Sequence, residues 1–205
     1  MKSAFVILSA VACSAYTRLE KEAALEEVVA AGYPHLNAFI ADRWTPALLS
    51  TFIKKELEVV GSQLEHVSAL EKETIFATVS ASNSCEYCLS FHSMGMSKGG
   101  ASEADINAVL DGGLPTHEGL RGVATAAKLA LAHKGIFLPN EKAHLKAKWG
   151  IGPQKLLEIV YLAGQIEANN RLMVHMISEG INVDDFLRPF TPFKHSVYHL
   201  DEKDL

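Results

Sequence analysis

Apolar residues recur at helical spacing along almost the whole sequence, and the residues between these stretches are typical helix caps and stops. One short stretch, from Thr74 to Val79, is rich in β-branched and aromatic residues and resembles a strand. It has no pairing partner with hairpin turn signals, so a helix is the better prediction there as well. The pattern therefore predicts an all-α fold, a compact domain of many helices.

Cap and stop residues set the predicted helix boundaries. A capping box at Ser68 and Glu71 begins a helix from Ala69 to about Ser82, with Ile75, Phe76 and Val79 facing inward. The next helix is expected to hold Cys85 in its first turn, after the capping residues 82–84, and to end near residues 99–100. The other predicted helices span residues 18–31, 45–61, 102–111, 117–134 and 140–149, and a last long helix runs from Pro153 to just before Gly180.

Composition excludes several classes of protein. A chain of 205 residues with 48% hydrophobic residues, 21% charged residues and a net charge of −5 is neither disordered nor a polybasic nucleic-acid binder. No stretch approaches the roughly 20 apolar residues that a membrane-spanning helix needs. We therefore expect one globular domain, soluble in its mature form, with neither nucleic acid nor membrane as a partner.

The first residues have the order of a signal peptide. Lys2 precedes an uncharged apolar run that ends in small residues around Ala12 to Ala15, and Thr17 to Glu20 form a capping box for a new helix. A buried first helix is the alternative interpretation. We predict a signal or targeting segment at residues 1–16, a helical domain at 17–188 and a tail at 189–205. Such a segment suggests the secretory pathway or an organelle; without it the protein would be cytoplasmic.

The chain has three cysteines, Cys13, Cys85 and Cys88, and the last two form a C-x-x-C pair. One such pair indicates a redox centre or half of a metal site rather than a disulfide framework. His92 follows, so that on a helix Cys85, Cys88 and His92 lie along one face. A helix N-terminus and a nearby imidazole both favour the reactive thiolate over the thiol, and a second cysteine can close a reversible disulfide.

This arrangement resembles the alkylhydroperoxidase D-like branch of the carboxymuconolactone decarboxylase family. The family motif has a glutamate, a C-x-x-C twelve residues later and a histidine four residues after the second cysteine. Glu73, Cys85, Cys88 and His92 occupy that frame. The late segment 157–172 is similar to the final helix of peroxidase-related members, so the resemblance extends over about residues 45–185.

The resemblance implies a thiol-dependent peroxidase or disulfide reductase. Cys88 would attack the peroxide, His92 and Glu73 would move its proton and protonate the departing oxygen, and Cys85 would form the disulfide with Cys88. It further implies a hydroperoxide substrate, a dihydrolipoyl- or thioredoxin-like reductant, and a trimer or hexamer of identical chains. No metal or other cofactor would be needed, because the cysteine pair is itself the redox centre.

Several residues depart from the family pattern. Some members have a histidine where this chain has Tyr87, which is a possible further member of the relay; the usual glycine before the first cysteine is Ser84, and the usual arginine before the glutamate is Lys72. The helix dipole alone would favour Cys85 as the reactive thiol, whereas only Cys88 has His92 at i+4.

Alternative functions use the same residues differently. The chain would be a lactone decarboxylase if the shared fold carries that chemistry, or a thiol redox sensor without peroxide turnover. Cys85, Cys88, His92 and Glu73 would also make four metal ligands, although structural zinc usually draws on two separated ligand pairs. The two cysteines would otherwise be inert packing residues or a structural disulfide.

Overall fold

A computed structural model describes residues 64–178 of the chain continuously, together with isolated helical positions before them: Ala23, Glu26, Leu48, Thr51, Lys55 and Val59. The continuous stretch lies within one compact unit, which begins at Gln63. The predicted signal segment, the tail and the domain boundaries at residues 16 and 188 lie outside the described residues and stay predictions. The isolated positions fall within the two helices predicted at 18–31 and 45–61.

Residues 64–178 form six helices and no strand, which confirms the predicted all-α fold for this part of the chain. None of these helices combines the length and the apolar character needed to cross a membrane. The helices are α1 (Ala69–Ser82), α2 (Glu86–Lys98), α3 (Glu103–Leu110), α4 (Glu118–Ala132), α5 (Pro139–Trp149) and α6 (Pro153–Ser178).

Helix α1 lies at the centre of the unit and packs against α2, α3, α4 and α6. Its N-terminus is the predicted capping box, in which the Ser68 hydroxyl accepts from the Glu71 N–H and the Glu71 carboxylate accepts from the Ser68 N–H. Residues 74–80 are all buried, on every face of the helix. A helix buried all round shows no polar face, which explains why this stretch resembles a strand in sequence.

Two carboxylates connect α6 to the start of α1. Lys155 of α6 donates to Glu71 at 2.6 Å, and Glu158 accepts from the backbone N–H groups of residues 65–67 at 2.9–3.2 Å. Burial raises the pKa of Glu71, but the hydrogen bonds from Lys155 and Ser68 outweigh it and leave the pKa lower than usual. The segment that leads into α1 is therefore fixed to the last long helix.

Helix α2 begins one residue later than predicted. Cys85 is the residue before the helix, the N-cap, rather than a member of its first turn. The reason is local: Ser84 adopts a left-handed backbone with φ of 55°, and the Cys85 N–H donates to the Ser80 carbonyl at 2.9 Å. These contacts close the turn after α1, so helical geometry starts only at Glu86.

A cluster of buried side chains joins α1, α2 and α3. It comprises Ala77, Leu89, Met96, Ile106, Val109 and Leu110. The remaining predicted helices agree with the structure to within about two residues at each described end. The positions at which these helices begin and end therefore follow from the capping residues and glycine stops in the sequence.

Candidate active site

Two free thiols lie at the N-terminus of α2. The Cys85 and Cys88 sulfurs are 2.7 Å apart, and no disulfide bond joins them. Cys85 is 0% exposed and Cys88 is 4% exposed. Because Cys85 is the N-cap and Cys88 the third helical residue, both sulfurs lie where unpaired backbone N–H groups favour negative charge. The pair is thus placed to hold a thiolate and to close a disulfide with little movement.

A carboxylate–imidazole pair connects α1 to α2. Nδ1 of His92 lies 2.9 Å from Oε2 of Glu73, a normal hydrogen-bond distance. The His92 side chain is 6% exposed and the Glu73 side chain 18% exposed. The rings of Phe76 and Phe91 flank the imidazole, with centroids at 4.8 and 5.3 Å. A buried imidazole held in this way has a fixed orientation, with Nδ1 toward Glu73.

The two pairs are brought together by the packing of α1 on α2, the most extensive helix contact among residues 64–178. His92 follows Cys88 by one helical turn, and side chains at this spacing are neighbours on a helix surface. Glu73 reaches the same region from the adjacent helix. The structure therefore places the Cys85–Cys88 pair and the Glu73–His92 pair on the same two packed helices, although the four residues span 20 positions from 73 to 92.

Gly95 is a site residue that the sequence analysis missed. It lies in the interior of α2, and a Cβ atom built on it would fall 2.3 Å from Oε2 of Glu73. Real Cβ atoms do not approach other atoms this closely, so the absence of a side chain at position 95 makes the room that the Glu73 carboxylate occupies. The sequence did contain one signal for this role: Gly95 is a glycine within a predicted helix, three residues after the motif histidine.

Lys72 and Tyr87, two other residues of the motif region, are also buried. Lys72, next to Glu73, is largely buried; burial lowers the pKa of its ammonium group, and the charge of Glu73 opposes that shift. Tyr87 lies buried in the turn of α2 between the two cysteines. Its role in a proton relay stays a prediction.

The metal-site interpretation needs three or more ligands that converge. Among the residues that the structure describes, no group of three His, Cys, Asp or Glu side chains is arranged to hold a metal ion. The Glu73 carboxylate and the His92 imidazole face each other instead of a shared centre.

Residues 46–132 match the model of the carboxymuconolactone decarboxylase family. The matched region contains α1 to α4 and all four motif residues, Glu73, Cys85, Cys88 and His92. Residues 46–132 are therefore similar to this family, and the predicted resemblance to it is confirmed over this region. No curated protein matches the chain.

The match does not distinguish the branches of the family. It ends at residue 132, before α5 and α6, so the predicted likeness of segment 157–172 to peroxidase-related members stays a prediction. The similarity over residues 46–132 supports, in general terms, a function of the kind found in this family. The specific reaction has to be argued from the site.

Proposed function

We propose that this protein is a thiol-dependent hydroperoxidase in which Cys85 and Cys88 are the redox pair. The observation that supports the proposal is the 2.7 Å separation of two thiols at the N-terminus of α2, with His92 one turn after Cys88 and hydrogen-bonded to Glu73 of α1. A decarboxylase would have no use for a close dithiol. A thiol reaction with a peroxide would use both thiols, the His92 imidazole and the Glu73 carboxylate.

In the first step the Cys88 thiolate attacks one oxygen of a hydroperoxide, ROOH. An S–O bond forms, the O–O bond breaks, the sulfur is oxidised to sulfenic acid and the peroxide is reduced to the alcohol ROH. The departing alkoxide needs a proton, and the thiol must first lose one. With Nδ1 toward Glu73, the Nε2 atom of His92 is the group that takes the thiol proton and returns it to the alkoxide.

In the second step Cys85 attacks the Cys88 sulfenic acid. The S–S bond forms and the oxygen leaves as water, which takes up the Cys85 proton. A dithiol such as a dihydrolipoyl group then reduces the disulfide by thiol–disulfide exchange and becomes a disulfide itself. The proximity of the two sulfurs favours this closure over further oxidation of Cys88.

Two observations favour Cys88 over Cys85 as the attacking thiol. Cys88 is 4% exposed whereas Cys85 is 0% exposed, so a substrate reaches Cys88 more readily. Cys88 also has His92 one turn along the same helix. The helix N-terminus does not separate the two, because Cys85 caps the helix and Cys88 lies within its first turn.

The proposal is tested by oxidising fully reduced protein with one equivalent of an organic hydroperoxide and measuring its intact mass. A Cys13→Ser background keeps only the C-x-x-C pair. We expect this background protein to lose two hydrogens. The Cys85→Ser variant should gain one oxygen as a sulfenic acid that dimedone traps, and Cys88→Ser should stay unmodified over the same time.

The opposite pattern, with a trapped sulfenic acid in Cys88→Ser and none in Cys85→Ser, would make Cys85 the attacking thiol. Equal and slow oxidation of both single variants and of the parent would remove the peroxidase proposal. A redox sensor or a decarboxylase would then be the better interpretation of the site.

A further inference from the structure

A second candidate site lies between α5 and the first turns of α6. It is a cavity of about 470 Å³, within the size range of small-molecule sites. Its walls come from the loop before α5, from one face of α5 and from the start of α6. None of the four motif residues lines it, so it is a different site from the cysteine pair.

Most of the residues that line this cavity are apolar. Phe137, Ile151 and Leu156 are buried side chains that line it, and Val160 is half-buried. Leu157 also lines it and is 70% exposed, so its side chain is open to a ligand. An apolar ligand in the cavity would remove this surface from water.

Two cations stand at the same opening. Lys142 and Lys146 line the cavity one turn apart on α5, so both ammonium groups extend on one side of that helix. No ion pair within the described part of the chain involves either of them. The positive charge at the opening is therefore not neutralised from within these residues.

The neighbouring carboxylates are engaged elsewhere. Glu141, between these lysines and the loop, accepts from the Leu138 N–H at 2.8 Å and lies 3.4 Å from Nδ1 of His133. Glu158 of α6 binds the backbone of residues 65–67. An apolar cavity with two unneutralised lysines at its opening is complementary to one kind of ligand, an apolar chain that ends in an anion.

We propose that this cavity binds a single-chain amphipathic anion, a carboxylate with an aliphatic tail. The carboxylate lies between Lys142 and Lys146, and the tail packs against Phe137, Leu156 and Leu157. The proposal is independent of the peroxidase function, because it uses no residue of the cysteine site.

The test is calorimetric titration of the full chain with decanoate, below the concentration at which decanoate forms micelles. The double variant Lys142→Gln and Lys146→Gln should bind decanoate at least tenfold more weakly, because both cationic partners are lost. Lys148→Gln is the matched control: it removes the same charge from the same helix, but Lys148 lies over the Trp149 ring and outside the cavity. It should bind like the parent.

A second variant tests whether the aliphatic tail of the ligand occupies the cavity. Ala143 is an exposed residue of the cavity wall, and Ala143→Trp fills the space without disturbing the core; we expect decanoate binding to be lost while the helical circular dichroism stays unchanged. The uncharged analogue decanol should bind more weakly than decanoate. Absence of decanoate binding to the parent, or equal affinity of the parent and the double lysine variant, would overturn the proposal.

Discussion

At the scale of single residues, the Glu73–His92 hydrogen bond depends on the lack of a side chain at Gly95. A glycine inside a helix costs roughly 0.5–1 kcal/mol relative to alanine, so its presence here needs a reason. The Glu73 carboxylate fills the place where a Cβ would lie. Gly95 is therefore a positioning residue: it lets α1 and α2 approach closely enough for a carboxylate to reach the imidazole.

Replacing Gly95 with alanine tests this interpretation. The new methyl group should push the Glu73 carboxylate away from His92. We therefore expect oxidation of Cys88 to slow about tenfold or more. General acid–base groups typically accelerate a reaction by about 10²–10⁴-fold, and the variant should lose part of that acceleration. The nitrogen NMR resonance of His92 Nδ1 should move as its hydrogen bond is lost. Stopped-flow oxidation and this spectrum are the two measurements.

Gly164→Ala is the matched control for Gly95→Ala. Gly164 is an exposed glycine within α6, and a Cβ there would meet nothing within 4 Å. The control should leave the oxidation rate and the His92 resonance unchanged and should stabilise the chain slightly. If Gly95→Ala also leaves both unchanged, the glycine does not position Glu73.

Ser84 shows a related local constraint. Its φ of 55° is in the left-handed region, where an ordinary residue costs about 1–2 kcal/mol and glycine does not. The resembling family usually has glycine at this position. The turn that places Cys85 at the start of α2 therefore has a strained backbone at Ser84 in this chain.

At the scale of helices, Asp105 joins α3 to α4. One carboxylate oxygen accepts from the Thr116 N–H, the Thr116 hydroxyl and the His117 N–H at 2.7–2.8 Å, and the other accepts from the Ser102 hydroxyl at 2.5 Å. Burial raises the pKa of Asp105, but the hydrogen bonds from Ser102, His117 and Thr116 outweigh it and hold the pKa far below its usual range. One side chain thus fixes the N-terminus of α3 and the entry to α4.

The Asp105→Asn variant should unfold more easily by about 2 kcal/mol at neutral pH, because charged hydrogen bonds are replaced by weaker ones. The depressed pKa means that this stabilisation is complete above the pKa of an unfolded aspartate, about 3.9, and is lost as the pH falls below it. The difference between parent and variant should therefore shrink in acid. Urea unfolding followed by circular dichroism measures it.

Asp111→Asn serves as the control, because Asp111 is an exposed residue just after α3. It should change the free energy of unfolding by less than about 0.5 kcal/mol. A pH-independent difference between the parent and Asp105→Asn would contradict the assignment of the effect to the carboxylate charge.

The ends of the helices could be predicted from the sequence where a capping residue marks them. Ser68 caps α1 as the predicted capping box requires, and α3 lies within the predicted range 102–111. The start of α2 was misplaced by one residue, because it depends on the left-handed Ser84 and on the Cys85 contact to Ser80. Glu73 was identified only through the family motif. Gly95 was missed, because a single glycine within a predicted helix does not show which side chain of another helix lies against it.

At the scale of the whole chain, the family match and the second cavity fall in different parts. The match over residues 46–132 contains the cysteine site, whereas most of the cavity wall belongs to α5 and α6, beyond the matched region. The family match therefore covers the first site and carries no information about the second. A lysine pair at i, i+4 was visible in the sequence, but the apolar walls come from three separate segments.

The most direct test of the account is the rate constant for oxidation of the reduced protein by an organic hydroperoxide, measured by stopped flow at neutral pH in the Cys13→Ser background. We expect a rate constant at least a hundredfold above that of free cysteine, and a loss of about a hundredfold in Glu73→Gln, which removes the charge that orients and balances His92. A rate equal to that of free cysteine, unchanged in Glu73→Gln, would contradict the proposed peroxidase.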